Sequence, residues 1–244
     1  GVAVLLPQLP DTSSLAHYQP KQPLRVFTAD GVEIGGFGSE KRIYVPIAQV
    51  PKLMRDSLLA VEDARFYEHP GIDAIGVMRA IVANLTHRRT QGASTITQQV
   101  ARTFFLTREK TISRKLKEAL LSLKIEHELS KDQILELYMN QIYLGQRAYG
   151  FAAACDTYFN KPIKDISIAE AAMLAGLPKA PSAYNPVRNP KRATIRQQYI
   201  IDRMLKTASS MANSEMKPRA SNCTTAPRRR FPCMPNMLRR LPGP

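Results

Sequence analysis

Four polar clusters lie between Glu62 and Asn140, separated by apolar helical runs. The first is Glu62-Asp63-Ala64-Arg65-Phe66-Tyr67-Glu68-His69-Pro70-Gly71. The second is Gly92-Ala93-Ser94-Thr95-Ile96-Thr97-Gln98-Gln99. The third is Arg114-Lys115-Leu116-Lys117-Glu118, and the fourth runs from Lys131 to Asn140. Acids come first, then hydroxyls and amides, then a dense basic group with one more acid. That combination supplies a general base, groups that bind hydroxyls and a patch that neutralises charge, as an anionic, sugar-like substrate requires.

Each cluster has a bland reading beside its chemical one. Glu62 and Asp63 could be solvated surface acids. Neighbours on a helix do not share a face, so the two are expected to have different jobs. They follow an apolar run and precede two aromatics, and a carboxylate against apolar groups has its pKa raised and becomes a better base. His69 is open to metal ligation or to bracing a turn. In the second cluster Ser94 or Thr95 could simply cap a helix, but Thr97, Gln98 and Gln99 add neutral groups suited to a sugar. Arg102, Arg108, Lys110, Arg114, Lys115 and Lys117 could be a solvated helix face. Arg114 and Glu118, four apart, share one face, and arginine suits bidentate phosphate contacts. The sequence has no Walker lysine motif, no dinucleotide glycine fingerprint and no Cys/His metal spacing.

The elements that must position these groups are mostly helical. Asp30-Gly31 between Leu24–Thr28 and Val32–Ile34 predicts a β-hairpin. Leu53, Leu58, Leu59 and Val61 prepare the apolar face that ends at Glu62. Ile72 to Leu85 predicts a helix with apolar residues around much of its circumference, suited to a core or to a lipid-facing surface; the core is preferred. Ser113 to Leu129 predicts an amphipathic helix burying Leu116, Ala119, Leu120, Leu123 and Ile125. Ser130 is the expected cap of the next helix. Ile168–Leu177 and Ala193–Leu205 complete the set, joined by a proline-rich loop. Residues 8–24, rich in Pro, Ser and Gln, read as a linker.

The chain has 244 residues and a formal charge of +15, which suits an anionic partner. Three cysteines give no even disulfide framework. No apolar run reaches the roughly 18 residues that span a bilayer. Val2–Leu6 is either an ordinary apolar start or the last turn of a membrane anchor, and both readings stay open. After Leu205 the character changes: residues 206–244 hold six of the 18 prolines and a net charge of +7, from eight Lys/Arg and one acid. A natural basic tail is one reading. The preferred one is a frameshift, because a nucleotide sequence consistent with Lys206–Pro218, with one G restored, encodes Glu-Asn-Gly-Phe-Ile-Asp-Gly-Glu-Gln-Arg-Asp-Glu-Ala. That peptide is a sensible helix stop followed by a new helix start. The expected organisation is therefore an anchor end and linker (1–20), a hairpin segment (21–57), a catalytic domain (58–205) and an out-of-frame tail (206–244).

In this order the clusters resemble the peptidoglycan glycosyltransferase domain of class A, bifunctional penicillin-binding proteins, truncated here. The matches are Glu-Asp-x-x-Phe-x-x-His-x-Gly, Gly-x-Ser-Thr-x-Thr-Gln-Gln, Arg-Lys-x-x-Glu and Lys-x-x-Ile-Leu-x-x-Tyr-x-Asn, and Arg196–Leu205 is similar to a weaker fifth motif. The resemblance covers about residues 20–205. It implies a mostly α, lysozyme-like fold with a small hairpin before it and a membrane-facing jaw. It implies polymerisation of lipid II into β-1,4 glycan strands by inverting displacement of undecaprenyl pyrophosphate, at the outer face of the cytoplasmic membrane. Glu62 would be the catalytic base and Glu118 a second essential acid. Asp63, Phe66, His69, Ser94, Thr95, Gln98, Gln99, Arg102, Arg114, Lys115, Lys131, Tyr138 and Asn140 would surround the substrate. Arg102 departs from the lysine most common at its position.

The leaving pyrophosphate needs neutralisation more than protonation. Arg102, Arg114 and Lys115 would provide it, with Mg or Mn as a candidate aid and no covalent cofactor. Glu118 would orient Arg114 or hold that metal. The expected partners are lipid II, the growing glycan, the membrane and regulators of cell-wall synthesis, and not nucleic acid. A lysozyme-like glycan hydrolase, or an inactive wall- or lipid-binding module, remain the alternatives.

Overall fold

The structure, a computed structural model, describes residues 9–12, 15, 18, 24–31, 33–37, 40–85, 94–106 and 111–215. Leu24–Phe27 (β1) and Glu33–Phe37 (β2) form the expected antiparallel hairpin, with Leu24 opposite Phe37 and Val26 opposite Gly35. The Asp-Gly turn closes through Gly31 N–H donating to Thr28 O at 2.9 Å. A shorter pair, Lys41–Arg42 (β3) and Ala148–Tyr149 (β4), runs parallel.

The rest is helical. The described helices are α1 (Lys52–Glu62), α2 (Ala74–Leu85), α3 (Ile96–Phe105), α4 (Ile112–Glu128), α5 (Lys131–Gln141), α6 (Phe151–Phe159), α7 (Ile168–Gly176) and α8 (Pro190–Glu215). Thr95, Ser130 and Ser167 head α3, α5 and α7 in reciprocal capping boxes with Gln98, Gln133 and Glu170. Each cap is worth about 1 kcal/mol. Of the two caps open at 94–95, Thr95 is the one used.

α1 packs on α7 and α8, while α3 packs on α4 and α5. Leu58, Phe66, Ile96, Leu121, Ile125, Ile134, Leu135, Leu174 and Leu177 are fully enclosed. Each such side chain contributes about 1.5–3 kcal/mol by leaving water. The C-terminal end of α1 meets α3 at the junction of these packing groups, and Glu62 stands there.

Four expectations are corrected. α4 buries Glu118, Leu121, Ser122 and Ile125, with its C-cap Leu129, and leaves Leu116 and Leu123 exposed at 39% and 42%. Glu118 meets an ammonium and Ser122 Oγ donates to Glu118 O at 2.6 Å, so these polar groups can face inward. On α2 the apolar residues Ile75, Met78 and Val82 are exposed at 61%, 61% and 56%, so one face is not core. Within the expected linker, Thr12 and Leu15 are buried, and Tyr18 stands edge-on to Phe104 with ring centroids 4.8 Å apart. α8 also continues past Leu205 to Glu215, and residues 216–244 lie outside the described set. No described helix is long and apolar enough to cross a membrane.

Candidate active site

The two adjacent acids part at the end of α1. Glu62 is its last residue and Asp63 its C-cap, with an extended φ of −160° that turns the second carboxylate away from the first. Asp63 accepts from His69 Nε2 at 2.9 Å and from the Ile96 backbone amide at 3.1 Å. Asp63 thus ties α1 to the first turn of α3, and His69, itself 8% exposed, braces the link.

Around that link lies a bracing network. Thr95 Oγ1 donates to Gly71 O at 2.6 Å. Gly71 has φ +87°, and a Cβ there would meet Glu126 Cγ and Ser122 O at 3.0 Å, so only glycine fits. Lys131 Nζ donates to His69 O at 2.6 Å and to Glu126 Oε1 at 2.7 Å, and lies 4.5 Å from the centroid of the buried Phe66 ring. Thr97 donates to the same Glu126 oxygen at 2.5 Å. Arg65 and Asp73 pair beside it.

Glu62 stands on the other side of this scaffold. Gln99 Nε2 donates to Glu62 Oε2 at 3.0 Å, and Tyr138 O–H donates to Gln99 Oε1 at 3.2 Å. Among the described residues no hydrogen bond reaches Glu62 Oε1. Burial pushes the Glu62 carboxyl above its ordinary value, opposed by the Gln99 hydrogen bond and by the charges of Arg196, Lys179 and Arg102. A carboxylate held this way, with a neutral donor on one oxygen, is a competent proton acceptor.

The basic wall begins on α4. Lys115 Nζ donates to Glu118 Oε1 at 2.5 Å, Ser94 Oγ at 3.0 Å and Gln98 Oε1 at 3.2 Å. The Lys115 side chain is 50% exposed and that of Glu118 1%, so the acid holds the base from below. Arg114, one residue earlier, is partly buried and reaches the same end of α4, which Thr111 caps. The Asn140 amide clamps Val45 N and O, at 2.9 Å each.

The structure therefore brings Glu62, Gln99 and Tyr138 together, with Arg102 in electrostatic reach of Glu62. It joins Lys115, Glu118, Ser94 and Gln98 in a second group, and Asp63, Phe66, His69, Thr95 and Lys131 in the brace. The sequence reading missed Lys179 and Glu126. Arg196 had a signal in the weak fifth motif, whereas nothing local marks the other two. No three His, Cys, Asp or Glu side chains gather to hold a metal among the described residues; Glu118 meets Lys115 through Oε1, while its buried Oε2 has no hydrogen-bond partner. These groups do not form a chelating set.

The model of the transglycosylase family matches residues 30–205. The chain belongs to the transglycosylase family. It is 58% identical over 208 residues to penicillin-binding protein 1A of Neisseria lactamica, covering 84% of this chain and 26% of that protein. It is 63% identical over 162 residues to a Cupriavidus necator protein named as a transglycosylase, covering 66% of this chain and 70% of the relative. The chain spans about a quarter of the length of the penicillin-binding protein 1A relatives it matches. Among solved structures, penicillin-binding protein 1A from Haemophilus influenzae aligns with a TM-score of 0.45 and 29% identity, over 84% of this chain and 22% of that one.

Proposed function

We propose that the chain is a peptidoglycan glycosyltransferase that polymerises lipid II into β-1,4 glycan strands. The observation that carries the reading is Glu62: a carboxylate with its pKa raised by burial, oriented by Gln99, in a chain of the transglycosylase family. Glu62 Oε1 takes the proton from the acceptor sugar's 4-hydroxyl as that oxygen attacks the donor's anomeric carbon. The bond from that carbon to the pyrophosphate breaks, and undecaprenyl pyrophosphate leaves with the electron pair. Attack opposite an α-linked leaving group gives the β product.

Lys115, Arg114 and Arg102 neutralise the departing pyrophosphate. Glu118 orients Lys115 for this. No step is routed through a metal. Ser94 and Gln98 hold the same ammonium, and Asp63, Phe66, His69, Thr95, Lys131, Tyr138 and Asn140 act by holding these groups in place.

The exposed stripe of Ile75, Met78 and Val82 on α2 supports docking to the membrane that carries the substrate. The proposed location is the extracytoplasmic face of the cytoplasmic membrane. The test is incubation of purified protein with labelled lipid II. Glycan polymer, with release of undecaprenyl pyrophosphate, is the expected result. Cleavage of preformed glycan without polymer would establish the hydrolase alternative.

A further inference from the structure

We propose that Tyr138 is a positioning residue that sets the polarity of the Gln99 amide, and through it the readiness of Glu62 to accept a proton. The inference rests on the reading of Glu62 as the base. The two ends of a glutamine amide have nearly the same shape, so only their hydrogen-bond partners decide which end faces where. Here Tyr138 O–H meets Gln99 Oε1 at 3.2 Å, and Gln99 Nε2 meets Glu62 Oε2 at 3.0 Å. All three groups belong to different helices, α5, α3 and α1. Tyr138 is 3% exposed and Gln99 7%, so water does not substitute for either partner.

The hydroxyl is held as a donor. Burial, and next the negative charge of Glu62, push its ionisation well above the ordinary tyrosine value. α5 is itself fixed, because Asn140, two residues on, clamps Val45 through both ends of its amide.

Two polarities of this chain are conceivable. In the observed one, tyrosine donates to the amide and the amide donates to an ionised Glu62. In the reverse one, a protonated Glu62 donates to the amide oxygen, and the amide nitrogen donates to the tyrosine oxygen. The reverse arrangement leaves the buried tyrosine O–H without an acceptor, which is costly. Tyr138 therefore favours the ionised, base-competent form of Glu62. Phenylalanine at 138 removes that bias, frees the amide to turn over and makes the protonated carboxyl easier to hold.

The other groups that face Glu62 are Arg102 from α3, Lys179 from the loop after α7 and Arg196 from α8, all cationic. They favour the ionised form too, but none of them dictates the direction of the amide.

The test is the pH dependence of lipid II polymerisation by the purified chain. Tyr138→Phe should move the midpoint of the acid limb of kcat up by about one pH unit, the effect of about one hydrogen bond to a charged group. The rate at the foot of that limb should fall about tenfold and recover as pH rises, with KM within about twofold of the wild type. Gln99→Met, which breaks the chain from its middle, should shift the limb the same way, and the double variant should shift it no further. An unmoved limb in folded Tyr138→Phe and in Gln99→Met, with Glu62→Gln inactive, overturns the relay and spares the base. Near-normal turnover by Glu62→Gln overturns the base assignment and the relay with it. A Tyr138→Phe variant that only loses thermal stability, with the wild-type pH profile, makes Tyr138 a core residue and nothing more.

Discussion

Glu62, partly buried, and Glu118, fully buried, are two acids with opposite kinds of partner. Glu62 meets a neutral amide at 3.0 Å and feels Arg102, Lys179 and Arg196 only at longer range. Glu118, more deeply enclosed, has the Lys115 ammonium at 2.5 Å. An acid without a contacting cation keeps an elevated pKa and remains basic. An acid with one becomes an anchor, and what it presents to the cleft is the cation. The difference lies in the contact partner and not in burial, since the anchor is the more buried of the two.

The largest expected effect is on catalysis. Glu62→Gln keeps shape and removes basicity, so polymerisation should fall about 10²–10⁴-fold in a steady-state lipid II assay. The same change removes a carboxylate that burial disfavours in its charged form, so the melting temperature at neutral pH should rise.

The anchor should behave in the reverse sense. Lys115→Met leaves Glu118 enclosed without its cation and should destabilise the fold by about 3–5 kcal/mol, measured by urea unfolding at neutral pH. The variant should also bind a phosphoglycolipid inhibitor less tightly, while a neutral glycan binds as before.

A smaller effect is expected in the brace that serves both acids. Asp63→Ala strands the Ile96 amide and His69, and should cost about 1–3 kcal/mol in chemical denaturation. On α2, outside the comparison, Met78→Glu should change stability by no more than about 0.5 kcal/mol. It should nonetheless weaken binding to anionic vesicles in a flotation assay, and unchanged binding would remove α2 from the membrane account.

Much of this was legible in the residues. Cap chemistry at Thr95 and Ser130 and the Asp-Gly hairpin are local, and local signals predict local structure. The part-buried setting of Glu62 at the end of α1 was legible because an apolar run leads directly into it. The buried face of α4 was not, since Glu118 and Ser122 look like solvent residues until their partners are known. Hydropathy therefore rotated that helix towards Leu116 and Leu123. The apolar face of α2 failed in the other direction, because apolarity does not distinguish a core from a surface left open. Lys131 and Asn140 stood out as site residues, but their hydrogen-bond partners did not: His69 O and Val45 are far away in sequence, and Glu126 lies on the preceding helix. Lys179 and Glu126 matter through tertiary neighbours that no spacing announces.

The most direct test of the contrast between the two acids is the pH–rate profile of lipid II polymerisation for the wild type and for Glu62→Gln, measured to product polymer. The account predicts a wild-type acid limb with a midpoint above the ordinary carboxylate value, and a residual Glu62→Gln rate in which that limb is absent. A limb of the same midpoint in Glu62→Gln would assign the titrating base to another residue and contradict the account.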